Sequence, residues 1–190
     1  DMELEVAAEA TGLRLSGNFI GLLPDGRTAV DASLAAYFGG ASVEIGRYAN
    51  STILIGTDGD GVNDRDEGNI FGPLSNENPV LSFYDTQNKA FIIAGNYFGV
   101  AVDGTTALAG SYRIAEGFGP SSVVRIGSDL NGVSDPLEAN TIVNNQPFST
   151  LRSAFNPIVA ETGAKVGLRG NVLGNNYPLP VNLGPTFDTD

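Results

Sequence analysis

The residues best suited to chemistry lie in an acidic loop. It reads Asp58-Gly-Asp-Gly-Val-Asn-Asp-Arg-Asp-Glu67, and it offers carboxylates at Asp58, Asp60, Asp64 and Glu67 around Gly61. Oxygen ligands at this spacing can converge on a hard cation such as Ca²⁺, because a glycine lets the chain turn sharply between them. The loop therefore predicts a calcium site.

The chain contains a second copy of this loop. It presents Asp129, Asn131, Asp135 and Glu138, with Gly132 at the turn, so that the spacing is kept and one carboxylate becomes an amide. The recurrence of all four oxygen donors strengthens the calcium prediction. Calcium is the one cofactor that the sequence indicates.

The first loop resembles the calcium loops of thrombospondin-like and EF-hand-like repeats. On that pattern Asp58, Asp60, Asp64 and Glu67 take the third, fifth, ninth and twelfth positions, but Gly56 stands where a leading Asp belongs. The alternative is that these side chains only turn the chain by bonding its backbone, which Asp and Asn do routinely without metal. The sequence leaves both interpretations open.

The loops belong to a repeat that runs through most of the chain. GNFIGLLPDGRTAV from Gly17 returns as GNYFGVAVDGTTAL from Gly95, IGTDGDGVNDRDEGNI from Ile55 returns as IGSDLNGVSDPLEANTI from Ile126, and a shorter copy begins at Gly167. The offsets lie in the seventies. Self-similarity at a fixed period is the sequence signature of a repeat architecture.

Apolar residues occur within each repeat as short β-branched and aromatic runs closed by Gly, Asn or Asp, which is typical of short strands. The super-repeat divides into about three coils of roughly 24 residues. We therefore predict an all-β fold, a parallel β-helix (β-solenoid) of about seven to eight coils, with a sandwich of antiparallel hairpins as the alternative.

We expect residues 1–190 to form one domain: 1–12 an N-terminal edge strand or arm, 13–176 the repeats, and 177–190 an extended C-terminal arm.

Two smaller features carry local predictions. Asn recurs before an apolar pair, which predicts stacked Asn side chains that bond one another and a left-handed backbone at these residues. The five positions are Asn18, Asn69, Asn96, Asn140 and Asn171. The Asp-Gly pairs at Asp25 and Asp103 predict tight turns rather than sites.

The phrases GNYFGVAVDGTTAL and IGSDLNGVSDPLEAN resemble the repeats of bacterial right-handed parallel β-helix proteins, in the large secreted and cell-surface members of the pectate-lyase-like superfamily. The resemblance covers about Leu13 to Gly174. It implies a right-handed helix and an extracellular or cell-surface location. Because the enzymes of this superfamily are polysaccharide lyases and hydrolases, it also implies a polysaccharide as a candidate partner.

Composition excludes several classes of function. Ten basic against twenty-two acidic residues give a net charge of −12, so nucleic acid and anionic membranes are not expected partners. The chain has no Cys and no His, which excludes disulfides, thiolate and imidazole metal sites, and His-dependent nucleophiles. No run reaches the ~20 apolar residues of a membrane helix, so no membrane insertion is expected.

The function predicted from these observations is structural and noncatalytic. A solenoid leaves open strand edges at both ends, which must be capped or paired with another molecule. We expect a subunit of a cell-surface filament, array or adhesin that associates with itself or with neighbouring modules of a larger surface protein through its terminal arms. The alternative is a carbohydrate-active or carbohydrate-binding module of the same superfamily.

Overall fold

Fifteen short β-strands and two single-turn helices form the described part of the chain. The structure, a computed structural model, describes residues 12–30, 43–45, 52–72, 79–83, 89–108, 113–144, 158–160, 163–174 and 181–182. All pairings between the named strands are parallel. The all-β prediction is confirmed in these residues, and the antiparallel sandwich is wrong.

The strands form three five-stranded sheets. Sheet 1 contains β1 (Gly12–Leu15), β4 (Thr52–Gly56), β7 (Ala90–Ala94), β10 (Val123–Gly127) and β13 (Lys165–Arg169). Sheet 2 contains β2 (Phe19–Ile20), β5 (Ile70–Phe71), β8 (Tyr97–Phe98), β11 (Thr141–Val143) and β14 (Val172–Gly174). Sheet 3 contains β3 (Val43–Ile45), β6 (Pro79–Phe83), β9 (Arg113–Phe118), β12 (Ile158–Ala160) and β15 (Val181–Asn182).

The chain visits the three sheets in the same order five times, and each of the first twelve strands pairs with the strand three places later. We call one such passage a round. The strands of sheet 1 begin at residues 12, 52, 90, 123 and 165, so a round takes between 33 and 42 residues. The predicted seven to eight coils of roughly 24 residues are therefore wrong for the described residues. The super-repeat spans two rounds, because long connections between the strands lengthen each of them.

One hydrophobic core draws side chains from all three sheets. It contains Ile55 and Ile93 of sheet 1, Phe98 of sheet 2 and Phe83 of sheet 3, each almost fully buried. The rings of Phe71 and Phe98 on neighbouring strands stack with centroids 4.7 Å apart. Equivalent positions of successive rounds thus pack on one another inside the molecule.

Two small hairpins extend from sheet 2, in rounds 1 and 3. Each is closed by an antiparallel bridge, Leu22 with Ala29 and Val100 with Ala107. At the first tip the Asp25 carboxylate accepts hydrogen bonds from the backbone N–H of Arg27 and Thr28. The Asp103 carboxylate does the same in the second hairpin. The turn prediction is confirmed at both places.

The recurrent asparagines form a ladder between sheets 1 and 2. Asn18 donates to Asn69 Oδ1 through its backbone N–H and its Nδ2, each at 3.0 Å. Asn69 bonds Asn96 in the same way, and the pattern continues through Asn140 to Asn171. The stacking prediction is confirmed, and the ladder crosses all five rounds.

The left-handed backbone predicted for these asparagines is wrong. Before three of the five, positive φ falls on the preceding glycine instead, at 70° for Gly17, 70° for Gly95 and 68° for Gly170, whereas the residues before Asn69 and Asn140 are extended. A residue without a Cβ is needed there, because a Cβ on Gly95 would lie 2.7 Å from the carbonyl oxygen of Leu137. The asparagine is then free to stay extended and bond its neighbour.

The predicted terminal arms are only partly within the described residues. Residues 1–11 and most of 177–190 lie outside them. Val181–Asn182 is an exception, since it pairs with Ile158–Val159 as the fifth strand of sheet 3. That part of the predicted C-terminal arm therefore belongs to a sheet.

The ladder generates a stability prediction. Asn96→Ala removes three donated bonds, to the carbonyls of Ile55 and Ala94 and to Asn140 Oδ1, and it leaves Asn69 without its acceptor. Because all these groups are buried, we expect a loss on the order of 3 kcal/mol in the free energy of unfolding. Urea unfolding measures it.

Asn18→Ala is the matched control, since Asn18 stands half-buried at the end of the ladder. We expect it to cost about 1 kcal/mol. Equal losses in the two variants would show that the interior of the ladder has no special role in stability.

Candidate functional site

The two acidic loops occupy equivalent places in rounds 2 and 4. Each follows a strand of sheet 1, ends in a single-turn helix and leads to a strand of sheet 2. The helices are α1 (Asp64–Glu67) and α2 (Asp135–Glu138). The residue before each helix, Asn63 or Ser134, is left-handed, which turns the chain back toward the start of its loop.

The first loop brings three of its four predicted ligands together. Carboxylate oxygens of Asp58, Asp64 and Glu67 lie within 4.8 Å of one another. Asp60 is not part of this group. Its Oδ1 accepts a hydrogen bond of 2.7 Å from the backbone N–H of Val62, as a turn residue does.

The second loop repeats this arrangement. Oxygens of Asp129, Asp135 and Glu138 lie within 4.8 Å of one another. Asn131 does not add its oxygen to this group, since its Oδ1 accepts from Val133 N–H at 2.7 Å, and its Nδ2 donates to Asp129 Oδ2 at 3.2 Å. We call the two groups cluster 1 (Asp58, Asp64, Glu67) and cluster 2 (Asp129, Asp135, Glu138).

A hydroxyl lies inside each cluster. Thr57 Oγ1 is 2.7 Å from Asp64 Oδ1 and 3.0 Å from Glu67 Oε2, so its single proton can serve either carboxylate. Ser128 is its counterpart and donates to Asp135 Oδ1 at 2.7 Å. Backbone N–H groups bind further oxygens, among them Gly61 to Asp64 Oδ2 at 2.9 Å.

A guanidinium group binds each cluster. Arg14 donates to Asp58 Oδ2 at 2.8 Å and to Glu67 Oε1. In cluster 2, Arg125 donates to Glu138 Oε1 at 2.7 Å, and that carboxylate is completely buried. Arg14 thus pairs with two of the three carboxylates of cluster 1, and Arg125 with one of the three of cluster 2.

The two arginines reach equivalent positions by different routes. Arg125 lies on the strand that leads into its own loop, and the repeat places Leu54 at the corresponding position of the first loop. Arg14 belongs to the previous round, but the parallel register sets it directly beside Leu54. Both arginines therefore lie in the same register row of sheet 1, but Arg125 is on the strand before its own loop and Arg14 is on the neighbouring strand.

These arginines and hydroxyls were missed in the sequence. Arg125 has no Arg counterpart in the first repeat, so comparison of the repeats alone discounts it. The signal that finds Arg14 is the register between neighbouring rounds, which requires the round length to be known. Thr57 and Ser128 do recur at the start of both loops, and that recurrence was a usable signal.

The two loops stack on each other, although a round separates them. Ser134 Oγ donates to Asp64 Oδ2 across the stack. The hydrogen bonds from Ser134 and Thr57 are the largest causes that hold the pKa of Asp64 below its usual value, and burial opposes them. Asp64 is thus held as a buried anion by hydroxyl and backbone donors.

Calcium fits these clusters only in part. The converging oxygens have the right chemistry for a hard cation. However, Arg14 occupies one oxygen of Asp58 and one of Glu67, while hydroxyl and backbone donors bind the others. A Ca²⁺ ion that bound cluster 1 as it stands would have to displace the guanidinium.

A groove of about 640 Å³ crosses the outer face of sheet 2. Its floor is a row of registered residues, one from each strand: Phe19, Ile70, Tyr97, Thr141 and Val172. Asp64, Arg65 and Asp66 of α1 also line the groove, as do Val102 and Asp103 of the second hairpin. The groove thus combines aromatic rings with charged side chains.

Comparison of the chain with family models, curated proteins and solved structures gives no match. The resemblance to pectate-lyase-like β-helix proteins therefore stays an interpretation of the repeated phrases. Within the described residues, no helix has the length and apolar character needed to cross a membrane.

The guanidinium in cluster 1 generates the first prediction here. Arg14→Gln should cost about 1 kcal/mol of stability in a chelator, since the ion pair is half-exposed. Millimolar Ca²⁺ should then raise the melting temperature of Arg14→Gln more than that of the native chain, because the freed carboxylates can bind the ion. Thermal unfolding with and without Ca²⁺ measures both effects.

Asp60→Asn is the control for this experiment, since Asp60 lies outside the cluster; it should respond to Ca²⁺ as the native chain does. A native chain that gains as much from Ca²⁺ as Arg14→Gln would show that the arginine does not compete with the ion. If that gain is lost in Asp58→Ala, calcium binding by the native loop is supported.

The lowered pKa of Asp64 generates a pH prediction. Its contribution to stability is present above the ordinary Asp value of 3.8 and is lost as the pH falls through the lower folded-state value. Asp64→Asn should therefore be about 2 kcal/mol less stable than the native chain at pH 7. This difference in the free energy of unfolding should disappear below pH ~4.

Urea unfolding from pH 7 to pH 2 tests this. In a Ser134→Ala background, the difference in unfolding free energy between Asp64 and Asp64→Asn at pH 7 should be smaller. The reason is that this change removes the hydrogen bond that is the largest cause of the lowered Asp64 pKa. A gap between the native chain and Asp64→Asn that stays constant over this range contradicts the assignment.

Proposed function

We propose that the chain is a right-handed parallel β-helix that serves as a noncatalytic structural subunit of an extracellular or cell-surface filament, array or adhesin. The observation that carries this proposal is the repetition of one contact pattern through five rounds. Sheets, core and Asn ladder all continue in a single direction. Among the described residues, each sheet therefore has one outer strand at either end that pairs with a single neighbour.

The β-helix is supported by the order of the strands and by the shared core. The chain visits three parallel sheets in constant order, and all three bury side chains in one cluster, which are two features expected of a chain that winds around its core. The right hand is supported by the strong preference of parallel crossover connections. It agrees with the resemblance of the repeated phrases.

A noncatalytic role is supported by the state of the acidic groups. General acid–base catalysis needs a carboxylate that can exchange a proton with a substrate. In cluster 1 the oxygens are already bound by Arg14, Thr57 and backbone N–H groups. The same kinds of donor bind cluster 2.

Association is supported by the ends of the sheets. Open edges of parallel strands are templates for another chain. Self-association into a homopolymer, or contact with neighbouring modules of a larger surface protein, would pair them. The terminal arms are the predicted contacts. The strongly acidic composition is consistent with a soluble exterior that avoids nucleic acid.

The alternative is a carbohydrate-binding module, and the groove over sheet 2 favours it. Phe19 and Tyr97 lie in its floor, with polar groups beside them. Aromatic faces flanked by polar groups suit a glycan chain. This function and the structural one differ in whether the isolated chain associates.

The test is electron microscopy and sedimentation of the native chain, with and without a chelator. We expect ordered assemblies that grow with concentration. Deletion of residues 1–10 or 183–190, which leaves β15 in place, should weaken assembly if the arms make the contacts. Monomers at all concentrations would overturn the structural proposal. Glycan binding that is lost in Tyr97→Ala would then support the alternative.

A further inference from the structure

We propose that the C-terminal edge of sheets 1 and 2 receives the N-terminal edge of a second copy of this chain, so that the Asn ladder continues from Asn171 of one copy to Asn18 of the next. This inference rests on the proposed self-association. It adds a contact between sheet edges to the contacts predicted for the arms. It follows from the groups that each end of the ladder leaves unbonded among the described residues.

The two ends of the ladder are complementary. Inside the molecule each Asn donates its backbone N–H and Nδ2 to the Oδ1 of the next. At one end, Asn18 Oδ1 accepts no hydrogen bond from any described residue. At the other, the backbone N–H of Asn171 donates none to a described residue. Asn171 and Asn18 of a second copy can therefore form the bond found four times within the chain.

The backbone hydrogen-bonding groups of sheet 2 are complementary at the two ends in the same way. Ile70 N–H donates to the carbonyl of Asn18, and Gly72 N–H donates to that of Ile20. Since successive residues of a strand face opposite neighbours, the N–H of Phe19 points to the open N-terminal edge. At the other end, Val172 N–H bonds Asn140, so the carbonyl of Asn171 faces the open side. Phe19 N–H of a second copy would meet this carbonyl.

Apolar side chains are exposed at the same edge of the sheets. Leu173 is 44% exposed, although its register partner on the neighbouring strand, Ile142, is completely buried. Val166 and Leu168 also pack against the core from the end of the molecule and are only partly buried. A further round would cover these three side chains, as each inner round covers its neighbour.

The type of round that can follow is limited by Leu130. In the first loop, Gly59 has no Cβ, and Glu138 of the stacked loop occupies that space; a Cβ there would lie 2.3 Å from Glu138 Oε1. Leu130 takes the place of this glycine in the second loop, with a positive φ of 62° and 62% exposure. A third acidic loop stacked in the same way would clash with Leu130.

Round 1 of this chain meets that restriction. It passes from Leu15 to Asn18 through Ser16 and Gly17 alone, with no acidic loop between sheets 1 and 2. It can therefore stack on round 5 without approaching Leu130. Round 1 of a second copy thus supplies a short connection between sheets 1 and 2, the acceptor Asn18 Oδ1 and the unpaired edge of a strand.

The experiment uses an edge proline. Phe19→Pro removes the N–H that points to the open edge and no internal donor, and proline is tolerated at strand edges. Phe19→Val is the matched control, since it changes the side chain and keeps the N–H. In sedimentation velocity we expect native chain and Phe19→Val to assemble, while Phe19→Pro stays monomeric with an unchanged far-UV spectrum.

A crosslinking pair covers the case in which Phe19→Pro does not fold. The chain has no cysteine. Phe19→Cys with Val172→Cys places the two thiols on adjacent strands only between copies, so a short bismaleimide should yield dimers and longer ladders. Phe19→Cys with Val123→Cys is the control, because Val123 is equally exposed but lies inside sheet 1.

The outcomes separate the two proposals. Native assembly that persists in Phe19→Pro, or equal crosslinking of both cysteine pairs, overturns the edge contact and leaves self-association intact. A native chain that is monomeric throughout overturns both. Loss of assembly in Phe19→Pro alone, with crosslinking confined to the first pair, supports the edge contact.

Discussion

The Asn ladder is the constraint on which the rest of the structure depends. A buried amide that left its donors or acceptor unpaired would cost on the order of several kcal/mol, so the ladder is favourable only when every member is bonded. Asn69, Asn96 and Asn140 meet this condition by bonding the Asn on either side as well as a strand carbonyl. Each round must therefore stack on its neighbour in one register.

This fixed register explains how the rounds can differ so much. In round 1 the corner before the Asn takes two residues, whereas in round 2 an acidic loop and a helix intervene between Thr57 and Asn69. The ladder closes across both corners in the same way. Insertions therefore extend outward without shifting sheet 2. Acidic loops can stack on acidic loops, and hairpins on hairpins, every second round. The super-repeat of seventy-odd residues is the spacing of these insertions.

The sequence was sufficient for features that depend on local chemistry. The Asp25 and Asp103 turns, the stacked asparagines and the strand character follow from residue type and its neighbours. The round length did not follow, because it depends on connections whose lengths vary between 33- and 42-residue rounds. Arg14 was missed for the same reason, since its place beside cluster 1 exists only once the register is known. Asp60 and Asn131 were placed among the ligands because loop spacing alone cannot distinguish a side chain that turns the backbone from one that points inward.

The charge distribution and the packing of the acidic loops both limit the number of loops that can stack. Two clusters of three carboxylates each receive one guanidinium, so each added acidic loop brings further negative charge to a chain that already carries −12. Stacking a third loop would also require a glycine where Leu130 stands. Leu130 in a left-handed conformation is costly, since β-carbon crowding disfavours it. Leu130 therefore limits the stack to two acidic loops, a limit that does not apply to the strands and the Asn ladder beside it.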